Sequence, residues 1–146
     1  MAKPKVLVAL RDAESVESLV TLACQLSNGM GAELVALHVV EVPMVTPLGA
    51  EDDVLDHPGK EILARAEQTA SERSSTHITT RLLRAREVGE AVVGEAKEQG
   101  VELLIMGHHK PHPHPLGELL LGTTVQYVAH HAPCRVIVQI PPPRHR

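Results

Sequence analysis

Aromatic side chains are nearly absent: the chain has no tryptophan, no phenylalanine and one tyrosine, Tyr127. Stacking of bases on aromatic faces, the usual device of single-strand binders, has almost nothing to work with. Positive charge is not in excess either, and a formal net charge of −4 gives no broad attraction to nucleic acid or anionic membrane. Cysteine is scarce. Cys24 and Cys134 stand far apart inside apolar runs, which reads as reduced core thiols and not as a disulfide framework. Long hydrophobic runs are missing too. After Met1-Ala2-Lys3-Pro4-Lys5 comes only Val6 to Leu10, too short for a signal peptide's apolar region or a membrane span, so a cytoplasmic location with no membrane insertion is expected. The chain contains no Gly-x-Ser-x-Gly, Walker A loop, Cys-x-x-Cys or His-Glu-x-x-His. No catalytic residue is assigned, and Asp12, Glu41 and Glu118 read as surface charges.

What is there is a regular alternation of two patterns. Val6 to Leu10 is an apolar run rich in β-branched residues, the pattern of a strand buried on both faces. Ser15 to Met30 then places Val16, Leu19, Val20, Ala23 and Cys24 on one helical stripe, stopped by Asn28-Gly29 and Gly31. A second buried strand runs from Glu33 to Val42. Pro43, Pro47, Gly49 and the acidic run Glu51-Asp52-Asp53 predict a solvated loop as far as Pro58. A helix over Gly59 to Arg73, a strand over His77 to Arg84, a helix over Glu87 to Gln99 and a strand over Val101 to Met106 follow. The pattern closes with a helix over Leu116 to His131 and a strand over Arg135 to Ile140. Strands alternating with helices make βαβ units, whose right-handed crossovers put helices on both faces. The expected fold is therefore α/β, a doubly wound five-stranded parallel sheet. Residues 1–140 form one domain, and 141–146 read as a disordered tail.

In such sheets ligands bind beyond the carboxyl ends of the strands where the strand order reverses, here the loops after the first and fourth strands. Gly107 ends the fourth strand, and Gly122-Thr123-Thr124 lies fifteen positions on. Taken together, Lys5-Val6-Leu7-Val8-Ala9, Leu37-His38-Val39-Val40, Leu104-Ile105-Met106-Gly107, Leu119-Leu120-Leu121-Gly122-Thr123-Thr124-Val125 and His131-Ala132-Pro133-Cys134-Arg135-Val136-Ile137-Val138 resemble the universal stress protein family over nearly the whole chain. Many members bind ATP or AMP through a Gly-x-x-Gly, nine-residue gap, Gly-Ser/Thr pattern. The resemblance implies a regulatory, largely non-catalytic module with at most slow ATP hydrolysis. It implies ATP or AMP as ligand, with or without Mg2+, held by Ala9, Leu10, Arg11, Val39, Met106, Gly107, His108, His109, Lys110, Gly122, Thr123 and Thr124. It also implies a homodimer through the last strand, Val136 to Ile140, whose apolar edge has a physical motive to pair.

The chain departs from that pattern in two places. Lys110 stands where the second glycine belongs, and the segment is two residues longer. Glycine lets backbone N–H groups converge on phosphate oxygens, whereas Pro111, Pro113 and Pro115 each delete a donor. A charge-assisted hydrogen bond contributes about 1.5–3 kcal/mol, so two lost without replacement weaken binding roughly a hundredfold or more. Direct contacts from His108, His109 and Lys110 would compensate. Arg11 stands where the family often carries an aspartate. As a loop charge it is solvated, and as a ligand contact it favours an anion.

Two further readings stand beside nucleotide binding. One is a dimeric interaction module without nucleotide, acting on a transporter or signalling partner. The other is metal binding by the run His108, His109, His112 and His114, since imidazole is a common metal ligand. Interleaved prolines favour a polyproline path of about three residues per turn, so only His109 and His112 recur on one side. His130 and His131 read as caps of a helix C-terminus.

Overall fold

The computed structural model describes residues 3–49, 52–73, 77–108 and 121–140. His109, Lys110, His112, His114, Glu118 and the tail 141–146 lie outside the described residues. Five strands, β1 (Lys5–Ala9), β2 (Glu33–Glu41), β3 (Ile78–Ala85), β4 (Leu103–Gly107) and β5 (Arg135–Gln139), alternate with α1 (Val16–Met30), α2 (Asp53–Arg73), α3 (Val88–Gln99) and α4 (Thr123–His131). The sheet is all parallel, in the order β3-β2-β1-β4-β5.

The two-residue period of the central strands divides the core. On one face Val6 and Val8, Leu34 and Ala36, and Leu103 and Ile105 pack with the apolar stripes of α1 and α2. On the other, Leu7, Val35, Leu37, Val39, Leu104 and Met106 pack with Val92, Val93 and Ala96 of α3 and with Val125 and Val128 of α4. The inner strands must be apolar on both sides, which is why they read as continuous runs. Helices α1 and α3 end on Gly31 and Gly100, both at φ 63°. Behind them Ala32 N–H donates to the Ser27 carbonyl at 2.8 Å and Val101 N–H to the Ala96 carbonyl at 3.1 Å, closing each helix as it turns into a strand. Both cysteines are free; Cys24 is buried, and partial burial pushes the Cys134 thiol up.

The structure corrects two boundaries. The region up to Pro58 is not all loop: α2 begins at Asp53 and carries Pro58 inside it. The Asp52 carboxylate accepts from the N–H groups of Val54 at 3.0 Å and Leu55 at 3.3 Å, capping the helix. The proline removes one donor within a helix, but Asp56 in the same turn is tied to Arg84 of β3. Arg84 Nε donates to Asp56 Oδ1 at 3.0 Å, and Arg84 Nη2 donates to the second oxygen. This fork holds the turn against the sheet and overrides the local signal. At the other end, Leu121 and Gly122 are not helical: Gly122 is extended, at φ −65° and ψ 162°, and α4 starts after it.

The hydrogen bond from Arg84, with its charge and that of Lys60, holds the Asp56 carboxyl below the usual carboxylate range in spite of burial. A lowered folded-state pKa contributes stability that is present above the unfolded value near 3.8 and is lost as pH falls toward the folded one. Asp56→Asn is therefore expected to melt below the wild type at pH 7, with the gap closing on acidification below about pH 4. Melting curves of the two proteins between pH 7 and pH 2.5 check this; a gap that stays constant with pH would remove the ion pair as its cause.

Candidate functional site

Strand order reverses between β1 and β4, because β2 and β3 lie to one side of that pair and β5 to the other. The connections therefore leave β1 and β4 toward opposite faces, and a crevice opens beyond their carboxyl ends. A cleft of about 440 Å³ lies there, within the range of small-ligand sites. Its floor is apolar: Leu37 and Val39 from β2, Met106 from β4, Val88 and Val92 from α3, and Val125 from α4. Its rim is charged, with Arg11, Asp12, Glu14 and Glu41.

Each wall has a local cause. Beyond β1, Leu10 N–H donates to the Leu37 carbonyl at 2.8 Å, so the ladder runs on to the cleft edge. The Leu10 carbonyl accepts from His38 Nδ1 at 2.7 Å, which fixes the proton on that nitrogen. The His38 ring is in turn pressed by α2, since a Cβ at Gly59 would stand 2.5 Å from His38 Cδ2 and 2.8 Å from Leu82 Cδ1. Asp12 folds back on the entry of α1, its Oδ1 accepting from Ser15 N–H at 3.0 Å. Gly107 lets β4 pass close to α1, where a Cβ would meet Leu19 Cδ1 at 3.2 Å. Gln139 Nε2 donates to Ser18 Oγ at 2.8 Å and joins the end of β5 to α1. Opposite, Gly122 and Thr124 bring in the start of α4, which has no side-chain cap among the described residues. The N–H groups of that first turn are available to an anion.

Of the residues expected from sequence, Ala9, Leu10, Arg11, Val39, Met106, Gly107, His108, Gly122 and Thr124 line this cleft together. Thr123 lines an adjoining hollow with Arg11, Arg86, Glu87 and Tyr127. His109 and Lys110 fall outside the described residues, as does the histidine run beyond them. Among the described residues no group of three or more His, Cys, Asp or Glu side chains is placed to hold a metal ion. His131 Nδ1 lies 2.9 Å from the Tyr127 carbonyl and serves the C-terminus of α4. Sequence reasoning missed His38 as a positioning group, and it missed Gln139 and the α3 part of the floor. It also missed Arg86, whose Nη1 donates to the carbonyls of Thr46 at 2.7 Å, Val42 at 3.3 Å and Pro43, pinning the loop after β2.

A doubly wound parallel domain with an apolar cleft at its switch point belongs to a recognisable class, the open α/β sheets that take ligands beyond the carboxyl ends of their strands. Within that class, residues 4–139 match the universal stress protein family, and the chain belongs to it. No curated protein matches the chain in sequence. The fold is similar to that of a universal stress protein from Archaeoglobus fulgidus at 20% identity and TM-score 0.76, covering 94% of both chains. A structure of an Archaeoglobus fulgidus universal stress protein in complex with dAMP is similar at 17% identity and TM-score 0.70, covering 94% of this chain and 97% of that one. An Arabidopsis thaliana family protein with AMP bound is similar at 16% identity and TM-score 0.60, covering 94% and 91%.

Gly59→Ala sets two effects against each other. The substitution gains about 1 kcal/mol of helix propensity. It also drives a methyl group into the His38 ring, which cannot retreat without breaking its bond to Leu10. Overpacking of this kind costs about 1–3 kcal/mol, so net destabilisation of up to about 2 kcal/mol is expected. Denaturant unfolding measures it; a more stable variant would show that the ring yields freely.

Proposed function

We propose that the protein binds an adenine nucleotide, AMP or ATP, in the cleft between β1 and β4 and acts as a regulatory module without dedicated catalysis. The observation that carries this reading is the opposition of an apolar floor, suited to a base, and the N-terminus of α4, which no side chain among the described residues caps and which suits a phosphate. Val39 and Met106 supply the surface against which an adenine packs. Arg11 at the rim adds a positive charge where the family often has an acid, which favours the phosphate end over a ribose hydroxyl. Universal stress proteins solved with dAMP and with AMP support the ligand class. Calorimetric titration with AMP and ATP, with and without Mg2+, is expected to give micromolar dissociation constants. Nucleotide at a hundredfold excess over that constant then stabilises the fold by about 2.7 kcal/mol. No heat together with an unchanged melting temperature would sink the reading and leave the nucleotide-independent interaction module in its place.

The same module is proposed to work as a homodimer through Val136 to Ile140. In support, β5 is the outer strand on its side of the sheet, and its residues carry no acid. Ile140, just past it, is 48% exposed. Sedimentation at micromolar concentration is expected to give twice the chain mass of 15.8 kDa, and Ile140→Lys is expected to shift the protein toward monomer. A monomeric wild type would refute the pairing.

A further inference from the structure

His108 leaves the end of β4 with its backbone N–H on the Gln139 carbonyl at 2.9 Å, so the adjoining strand sets its position. The residue is 4% exposed and lines the cleft. Neither Nδ1 nor Nε2 has a hydrogen-bond partner among the described residues. That separates it from His38 and His131, each of which has a backbone carbonyl against Nδ1. An imidazole always carries at least one N–H, and buried polar groups of native proteins are rarely left unpaired. A side chain held in this way at the wall of a binding cleft is a group whose partner comes with the ligand.

We propose that His108 donates a ring N–H to a phosphate oxygen of the bound nucleotide, an assignment that rests on the nucleotide reading above. The cleft itself says which end of the ligand it meets. Val39, Met106 and Val92 make an apolar surface that suits the base, while the start of α4, at Gly122 and Thr124, favours an anion. His108 follows Gly107 at the point where the family's glycine loop begins, and in this chain the second glycine is replaced by Lys110 with prolines after it. Main-chain donors are fewer in that segment, and a side-chain donor anchored on β4 replaces one of them. Both ring nitrogens are shut off from solvent as the ring stands, so this contact requires the ring to turn between staggered rotamers toward the cleft when the phosphate enters.

The test is calorimetric titration of the wild type, His108→Leu and His108→Ala with AMP and with adenosine, which lacks the phosphate. The expected result is adenosine affinity within about twofold of wild type in both variants and AMP affinity reduced ~10- to 100-fold. A purely structural role would move both ligands together, so an equal loss for AMP and adenosine overturns the assignment. Unchanged AMP affinity overturns it as well. If the leucine variant does not fold, the alanine variant decides by the same ratio. A wild type that binds neither ligand takes down the nucleotide reading and this contact with it, whereas a wild type that binds both, with variants that follow it, removes only His108.

Discussion

Val8 of β1 pairs with Ile105 of β4 although most of the chain lies between them, and this pairing organises the rest of the molecule. Because the two strands are neighbours, the chain must wind outward from them in both directions, through β2 and β3 on one side and β5 on the other. The crossover rule then fixes which helices cover which face. The loops beyond β1 and β4 are left to diverge, and the cleft is the gap between them. Every wall residue discussed above is there because an element end was brought to this gap: Leu10 and Arg11 by β1, His108 by β4, Gln139 by β5 and Gly122 by the entry to α4.

The inner strands β1, β2 and β4 were legible because the requirement that makes them, burial on both faces, leaves a run of apolar residues. Helices α1 and α3 were legible by period and by the glycines that end them. The start of α2 was not. Asp52, Asp53 and Pro58 carry the composition of a loop, and besides the Asp52 cap it is the fork from Arg84, 28 positions from Asp56, that holds a helical turn there. Such a contact has no signature in a local window.

Much of the candidate site was readable for a different reason: the strand pattern pointed to the loops after the first and fourth strands, and the family resemblance named the residues around Gly107 and Gly122 within them. His38, Gln139 and Arg86 escaped notice because each acts through a partner distant in sequence, on Leu10, Ser18 and the loop after β2 respectively. His108 is the instructive case. In sequence it is the first of four similar histidines, and nothing local distinguishes it from His109. In space it follows the end of a strand, buried and without a hydrogen-bond partner among the described residues, and the topology gives it an individuality that composition could not.

The two margins of the sheet are unlike each other. Strand β3 carries Arg81 and Arg84, which bond to Glu95 of α3 and Asp56 of α2 on opposite faces, so that margin is studded with fixed charge on both sides. Strand β5 has Val136, Ile137 and Val138 in succession and only partly covered. If the proposed pairing of β5 with its own copy forms, both outer borders of the joined sheet are the charged β3 margins, so such an assembly would end as a closed twofold pair and would not propagate into a fibre.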